Sequence, residues 1–141
     1  MSGVQRVLLV EDDPLDQTLI QRAFERIGSA AEIQIVDTVA AATEVLGERP
    51  HPVLVVVDLR LAGESGLTLV SWARDNESTS TVPFVVLSGS DDRTDVRAAY
   101  DAGANAYLVK PSSMEDFDDL VRRVDAFWLG ACALVDDTPS G

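Results

Sequence analysis

The sequence predicts one doubly wound α/β domain, and three observations carry that reading. Short β-like apolar runs alternate without a break with stretches of helical periodicity from about Arg6 to Trp128. The middle runs, Val53–Val57 and Phe84–Leu87, are continuously apolar, as strands are when helices cover both faces of a parallel sheet. Each of four runs stops at a polar group: Val10 leads into Glu11-Asp12-Asp13, Val57 into Asp58, Leu87 into Ser88 and Val109 into Lys110. Ligands of open parallel sheets bind in the crevice outside those carboxyl ends.

The elements follow in order. After the strand ending at Val10, Leu15, Leu19, Ala23 and Ile27 recur every four residues, with Ile20 and Phe24 beside them, giving one face of a helix. Asp13 suits its N-cap, Pro14 its first position and Gly28 its stop. A strand at about Glu32–Val36 and a helix at about Val39–Gly47 come next. The Val53–Val57 strand, a Gly-containing loop and a helix at about Gly66–Asp75 precede the Phe84–Leu87 strand. A helix at about Asp92–Ala102, closed by Gly103, leads to the Ala106–Val109 strand. The last helix starts near Ser113, with Ser112 and Glu115 at capping-box spacing and Phe117, Leu120, Val121, Val124 and Trp128 as its apolar stripe. The domain is expected to run to residue 135 through an extended final helix, with Asp136–Gly141 a frayed tail.

Bulk composition narrows the function. The 141 residues suit one domain, and a net charge of −13 argues against nucleic acid or an anionic membrane as direct partner. Cys132 is the single cysteine, so neither a disulfide within the chain nor a multi-cysteine metal site is expected. His51, between two prolines, reads as a turn residue. No signal peptide fits and no apolar segment reaches the ~18 residues of a membrane span, so a cytoplasmic location is expected.

The strand ends would bring Glu11, Asp12 and Asp58 together. Two carboxylates ~4 Å apart repel by about 4 kcal/mol at an effective dielectric of ~20, so three require a proton or a cation. An all-oxygen set suits Mg²⁺, with Asp12 and Asp58 as direct ligands and the longer Glu11 acting through a water. Asp13 is assigned to helix capping instead. A carboxylate can also be the nucleophile of phosphoryl transfer. Asp58, ending the most apolar strand, is the candidate, with Lys110 and the Ser88 hydroxyl neutralising phosphoryl oxygens. Lys110 is the single Lys among 11 cationic residues and stands between an apolar run and Pro111.

These motifs resemble the receiver domain of two-component response regulators over about residues 6–128. The matching elements are Leu9-Val10-Glu11-Asp12-Asp13, Val57-Asp58-Leu59 with Gly66 eight residues on, Leu87-Ser88, and Ala102-Gly103-Ala104 running into Tyr107-Leu108-Val109-Lys110-Pro111. The resemblance implies a flavodoxin-like (βα)5 fold, with its five-stranded parallel sheet in the order 2-1-3-4-5. It also implies that Asp58 accepts phosphoryl from a kinase phosphohistidine. Asp12, Asp58 and the Arg60 backbone carbonyl would bind Mg²⁺, with Glu11 in the outer shell. Ser88 is then the switch hydroxyl, Tyr107 the switch aromatic and Lys110 the phosphate contact, with a cis bond before Pro111. Many receivers carry Pro four residues after the phosphoacceptor, where this chain has Ala62, so the Leu61–Ser65 loop is expected to be shaped differently.

The resemblance further implies a switch rather than an enzyme. A haloacid-dehalogenase-type phosphatase would want a second Asp two residues after the nucleophile, where Arg60 stands, and a pseudo-receiver would not need the complete acidic, Ser and Lys set. With no output domain expected after the receiver, signalling is expected to pass through protein contacts. The Ala126-Phe127-Trp128-Leu129 ending and the Thr81-Val82-Pro83 insertion look most like single-domain receivers paired with bacterial phytochrome kinases. In the last helix Phe127 and Leu129 lie about 100° to either side of Trp128, so both cannot share the buried stripe. With the apolar Ala131–Val135 beyond them, this predicts a two-fold homodimer through Phe127 and Leu129, helped by Val96 and Tyr100. The alternative is a tail folded back on its own domain.

Overall fold

A computed structural model describes residues 4–135; the tail expected at Asp136–Gly141 lies outside the described residues. Five parallel strands, β1 (Arg6–Val10), β2 (Glu32–Val36), β3 (Leu54–Asp58), β6 (Phe84–Ser88) and β7 (Ala106–Val109), form one sheet in the order β2-β1-β3-β6-β7. Counted within the sheet alone this is the expected 2-1-3-4-5. Between β3 and the next helix, where a loop is expected, β4 (Arg60–Leu61) and β5 (Glu64–Ser65) make an antiparallel hairpin of two-residue strands.

The helices are α1 (Pro14–Arg26), α2 (Val39–Leu46), α3 (Leu67–Asp75), α4 (Arg93–Ala102) and α5 (Met114–Ala126). Strand side chains alternate between faces, and this sorts the core into two layers. Leu8, Val10, Val55, Val57, Phe84 and Val86 face α2 and α3. Val7, Leu9, Leu54, Val56, Val85 and Leu87 face α1 and α5. Register pairs Val10 with Val57 and Asp58 with Leu87, so the carboxyl ends of β1, β3 and β6 lie level.

Caps fix where the helices begin, and so what their first turns present. Asp13 caps α1 through its Oδ1, which accepts from Leu15 N at 2.9 Å, as expected. Thr38 and Asp92 cap α2 and α4. The cap of α5 is Ser113, accepting from Asp116 N at 3.1 Å, one residue later than the Ser112–Glu115 box. The stripe of α1 is also rotated from the expected one: Ile20, Ala23 and Phe24 are buried, whereas Leu15 is 65% exposed.

Two glycines are required by close approach. A Cβ on Gly66 would collide with the Asp58 carbonyl and the Val57 side chain, so only Gly lets α3 start against the end of β3. Gly103, at φ +110, ends α4 in the left-handed region beneath the Arg74 side chain. Arg74 donates to the carbonyls of Gly103, Ser80 and Val82 and to Asn105 Oδ1, all at 2.8–2.9 Å, and stacks over Phe84. Burial pulls its pKa down. This clip ties the segment before β6 to the turn before β7. His51 is a buried loop residue rather than part of a turn, and its ring nitrogens contact Glu48 O at 3.0 Å and Ser78 O at 2.8 Å.

The C-terminal expectation needs revision. A five-residue π-helix, Phe127–Ala131, continues α5 and closes with Cys132 N donating to Phe127 O at 2.7 Å. Its wider i→i+5 turn advances less per residue than an α-helix, so Trp128 and Leu129 both pack on the second core layer. Leu129 is therefore engaged within its own domain, while Phe127 stays 55% exposed and meets Trp128 edge-on. Cys132 is extended, and Leu134 and Val135 line a small cavity with His51, Pro52, Thr81 and Val82. Over these residues the tail folds back, as the alternative reading had it. The cis peptide bond among the described residues is Arg49–Pro50, so Lys110–Pro111 is trans, against expectation. The two X–Pro isomers differ by only about 0.5–1 kcal/mol, small enough for a resemblance to mispredict the isomer.

Candidate functional site

The four predicted strand ends converge. Lys110, directly after β7, extends its ammonium to Glu11 Oε1, Asp16 Oδ2 and Asp58 Oδ2, each at 2.8 Å. Its backbone N–H donates to Ser88 O at 2.7 Å, which sets where the side chain starts. An ammonium has three donors, and here each meets a carboxylate. Burial works against the charged Lys110, but the three carboxylates outweigh it and push its pKa up. Glu11 is 1% exposed. Burial raises its pKa to about 7, the Lys110 hydrogen bond opposes that, and neighbouring Asp58 adds to the rise.

Asp58 is held at both oxygens, Oδ2 by Lys110 and Oδ1 by Arg60 N at 3.2 Å. Asp12, at the end of β1, turns to the β4–β5 hairpin, where its Oδ2 accepts from Ala62 N at 2.9 Å. Glu11 Oε2 accepts from Asp13 N at 3.3 Å. Ser88 is buried, and its Oγ accepts from Ser90 N at 3.2 Å. Tyr107 is half-buried against the first core layer and donates its hydroxyl to Ser90 O at 2.7 Å.

Asp16 is the member that sequence reading missed. It sits one turn before Ile20 on the buried face of α1, so the true stripe contains it, whereas the predicted stripe began at the exposed Leu15. Oxygen atoms of Glu11, Asp16 and Asp58 lie within 4.8 Å of one another. Such an all-oxygen, multiply charged set suits a hard divalent cation, but the Lys110 ammonium, 2.8 Å from an oxygen of each, fills its centre. The grouping differs from the predicted one, since Asp16 is inside it and Asp12 is tied to Ala62.

The sequence from residue 7 to 122 matches the family model of the response regulator receiver domain. The chain belongs to the response regulator receiver family. This receiver is 38% identical to the probable methanogenesis regulatory protein FilR2 of Methanothrix harundinacea, over 88% of this chain and 83% of that one. It is 30% identical to response regulator Rcp1 of Synechocystis, over 91% of each. The Mn²⁺-bound structure of Rcp1 superposes with a TM-score of 0.84 at 29% identity, covering 94% of this receiver and 99% of that chain. The phosphorylated cyanobacterial phytochrome response regulator RcpA gives 0.87 at 26% identity, covering 95% and 100%. Among the described residues, no helix is long and apolar enough to cross a membrane.

Proposed function

We propose that this receiver is a phosphoacceptor switch in which Asp58 takes a phosphoryl group from a histidine kinase. The observation that carries the reading is the Asp58 carboxylate, held by Lys110 at 2.8 Å at the mouth of an acidic cleft beside the buried Ser88 hydroxyl. A carboxylate oxygen of Asp58 attacks phosphorus, so a P–O bond forms as the P–N bond to the donor imidazole breaks, and the imidazole leaves with that electron pair. Lys110 is placed to neutralise one phosphoryl oxygen and Ser88 to donate to another. Asp12, Asp58 and the Arg60 carbonyl would hold Mg²⁺, with Glu11 in the outer shell, once Asp12 turns from Ala62 N; Asp16 stays with the Lys110 ammonium. Bound there, the ion would offset the repulsion between the cleft and an incoming phosphoryl dianion.

The likeness to RcpA, a cyanobacterial phytochrome response regulator, supports a phytochrome-type kinase as donor; output is assigned to protein contacts. The exposed Phe127 and Tyr100, at the C-terminal ends of α5 and α4, support a homodimer that matches a dimeric kinase. Labelling with acetyl phosphate tests the core of this reading. Mg²⁺-dependent, hydroxylamine-sensitive phosphate should appear on the wild type, vanish on chelation and be lost in Asp58→Asn. Full labelling of Asp58→Asn would refute the assignment. Rapid turnover of many phosphate esters would favour a phosphatase instead.

A further inference from the structure

A continuous set of contacts runs from Asp58 to both switch residues by way of α4. Arg60 N donates to Asp58 Oδ1 at 3.2 Å, and the Arg60 guanidinium reaches Asp95 Oδ2 at 2.9 Å. The same Asp95 oxygen accepts from Ser90 Oγ at 2.7 Å. Ser90 also donates its N–H to Ser88 Oγ and accepts the Tyr107 hydroxyl at its carbonyl, at 2.7 Å. The backbone and side chain of one loop residue therefore join Ser88, Tyr107, Asp95 and, through Arg60, the acceptor.

We propose that Arg60, Asp95 and Ser90 form a latch that holds the loop between β6 and α4 in its resting conformation. The inference rests on Asp58 being the phosphoacceptor, because release is assigned to modification there. A phosphoryl group on Asp58 adds negative charge beside Arg60 and competes with Asp95 for its guanidinium. It also offers the Ser88 hydroxyl a charged acceptor. Both events loosen Ser90 from its present partners, and its carbonyl is what holds Tyr107. The two disturbances thus reach the aromatic through one residue, which is how a local charge change can bias a two-state loop.

A simpler reading assigns Asp95 and Ser90 to capping α4, since Asp95 lies in its first turn and Asp92 N also donates to Ser90 Oγ, at 3.2 Å. Arg60 separates the two readings, because it belongs to β4 and takes no part in the cap. Its side chain is 66% exposed, so the ion pair is a modest restraint, enough to shift the loop equilibrium about two- to fivefold.

The test uses the wild type, Arg60→Gln, Asp95→Asn, the double variant and Arg60→Lys, each with Mg²⁺ and fluoroberyllate as the phosphoryl stand-in. Arg60→Gln and Asp95→Asn should each tighten apparent fluoroberyllate binding about two- to fivefold, the double variant no further, and Arg60→Lys should stay near wild type. NMR shifts of Ser90 and Tyr107 in the ligand-free variants should move toward their bound positions. Unmoved ligand-free shifts in Arg60→Gln would overturn the latch, as would additive effects of Arg60→Gln and Asp95→Asn. A wild type that takes neither fluoroberyllate nor phosphate would overturn the acceptor reading, and with it the assigned trigger.

Discussion

Ala62 donates its backbone N–H to Asp12 Oδ2 at 2.9 Å, a bond that proline at this position could not make. Gly63 follows at φ +76, which suits the third residue of a type II turn, where Pro is common at the second. Ala62→Pro should therefore fit the hairpin while deleting one donor to a carboxylate. Asp12 would then be free to turn into the cleft, and Mg²⁺ affinity should rise about three- to tenfold by calorimetric titration. The metal-free variant should lose about 1 kcal/mol of stability in urea. An unchanged affinity would mean that Asp12 meets the cation with the Ala62 bond intact.

Lys110→Arg should fail as a conservative change. Three carboxylates surround one ammonium at 2.8 Å, and the Lys110 side chain is 13% exposed. A planar fork is larger and cannot point its donors at three acceptors arranged about one point. The variant should lose roughly 1–3 kcal/mol of stability and label with acetyl phosphate at least about tenfold more slowly. Wild-type labelling in the Arg variant would show that charge alone suffices at this position.

The legible part of this protein was what a strand end or a helix cap determines. Asp58, Ser88 and Lys110 each follow an apolar run, so chain order alone placed them at one edge of the sheet. Asp16 was hidden because it lies on a helix, where rotating the apolar stripe by one residue exchanges it for Leu15. The hairpin at Arg60–Ser65 is too short to carry a period-2 pattern, so the Ala62–Asp12 bond was out of reach even though Ala62 itself had been noticed. The π-turn at Phe127 has no local signature, and α-helical spacing consequently misplaced Leu129. Arg74 carries no sequence signal for its role, because the carbonyls of Ser80, Val82 and Gly103 converge on it only in the fold.

Glu11 should leave a mark on the pH dependence of stability. Its folded pKa, about 7, lies above the ordinary 4.5, so between those values the native state holds a proton that the unfolded chain has lost. Its contribution is full below about pH 4.5 and is lost as pH rises through about 7, a fall on the order of 3 kcal/mol in total. Urea unfolding in the presence of a chelator, from pH 5 to pH 8, should show that fall, and Glu11→Gln should flatten it. An equal slope in Glu11→Gln would place the titrating proton elsewhere in the cluster.

The proposed dimer turns on Phe127. It is 55% exposed and its ring meets Trp128 edge-on at 5.1 Å, so a partner could cover it without disturbing the core. Leu129 is partly buried against the core, and the tail to Val135 has turned back toward His51 and Pro52. The exposed candidates left for a second copy are Phe127, Tyr100 at 49% exposure on α4 and Val135 at 65%. A single exposed aromatic is common on monomers, but a symmetric pair brings two such rings into one contact. Sedimentation should show dimer at micromolar concentration, weakened at least about tenfold by Phe127→Glu through the burial of an unpaired charge. Tyr100→Ala should weaken it less, because its hydroxyl already accepts from Tyr107 N at 3.2 Å within the domain. A wild type that sediments as monomer with and without phosphorylation would end the dimer proposal and leave the Asp58 chemistry untouched.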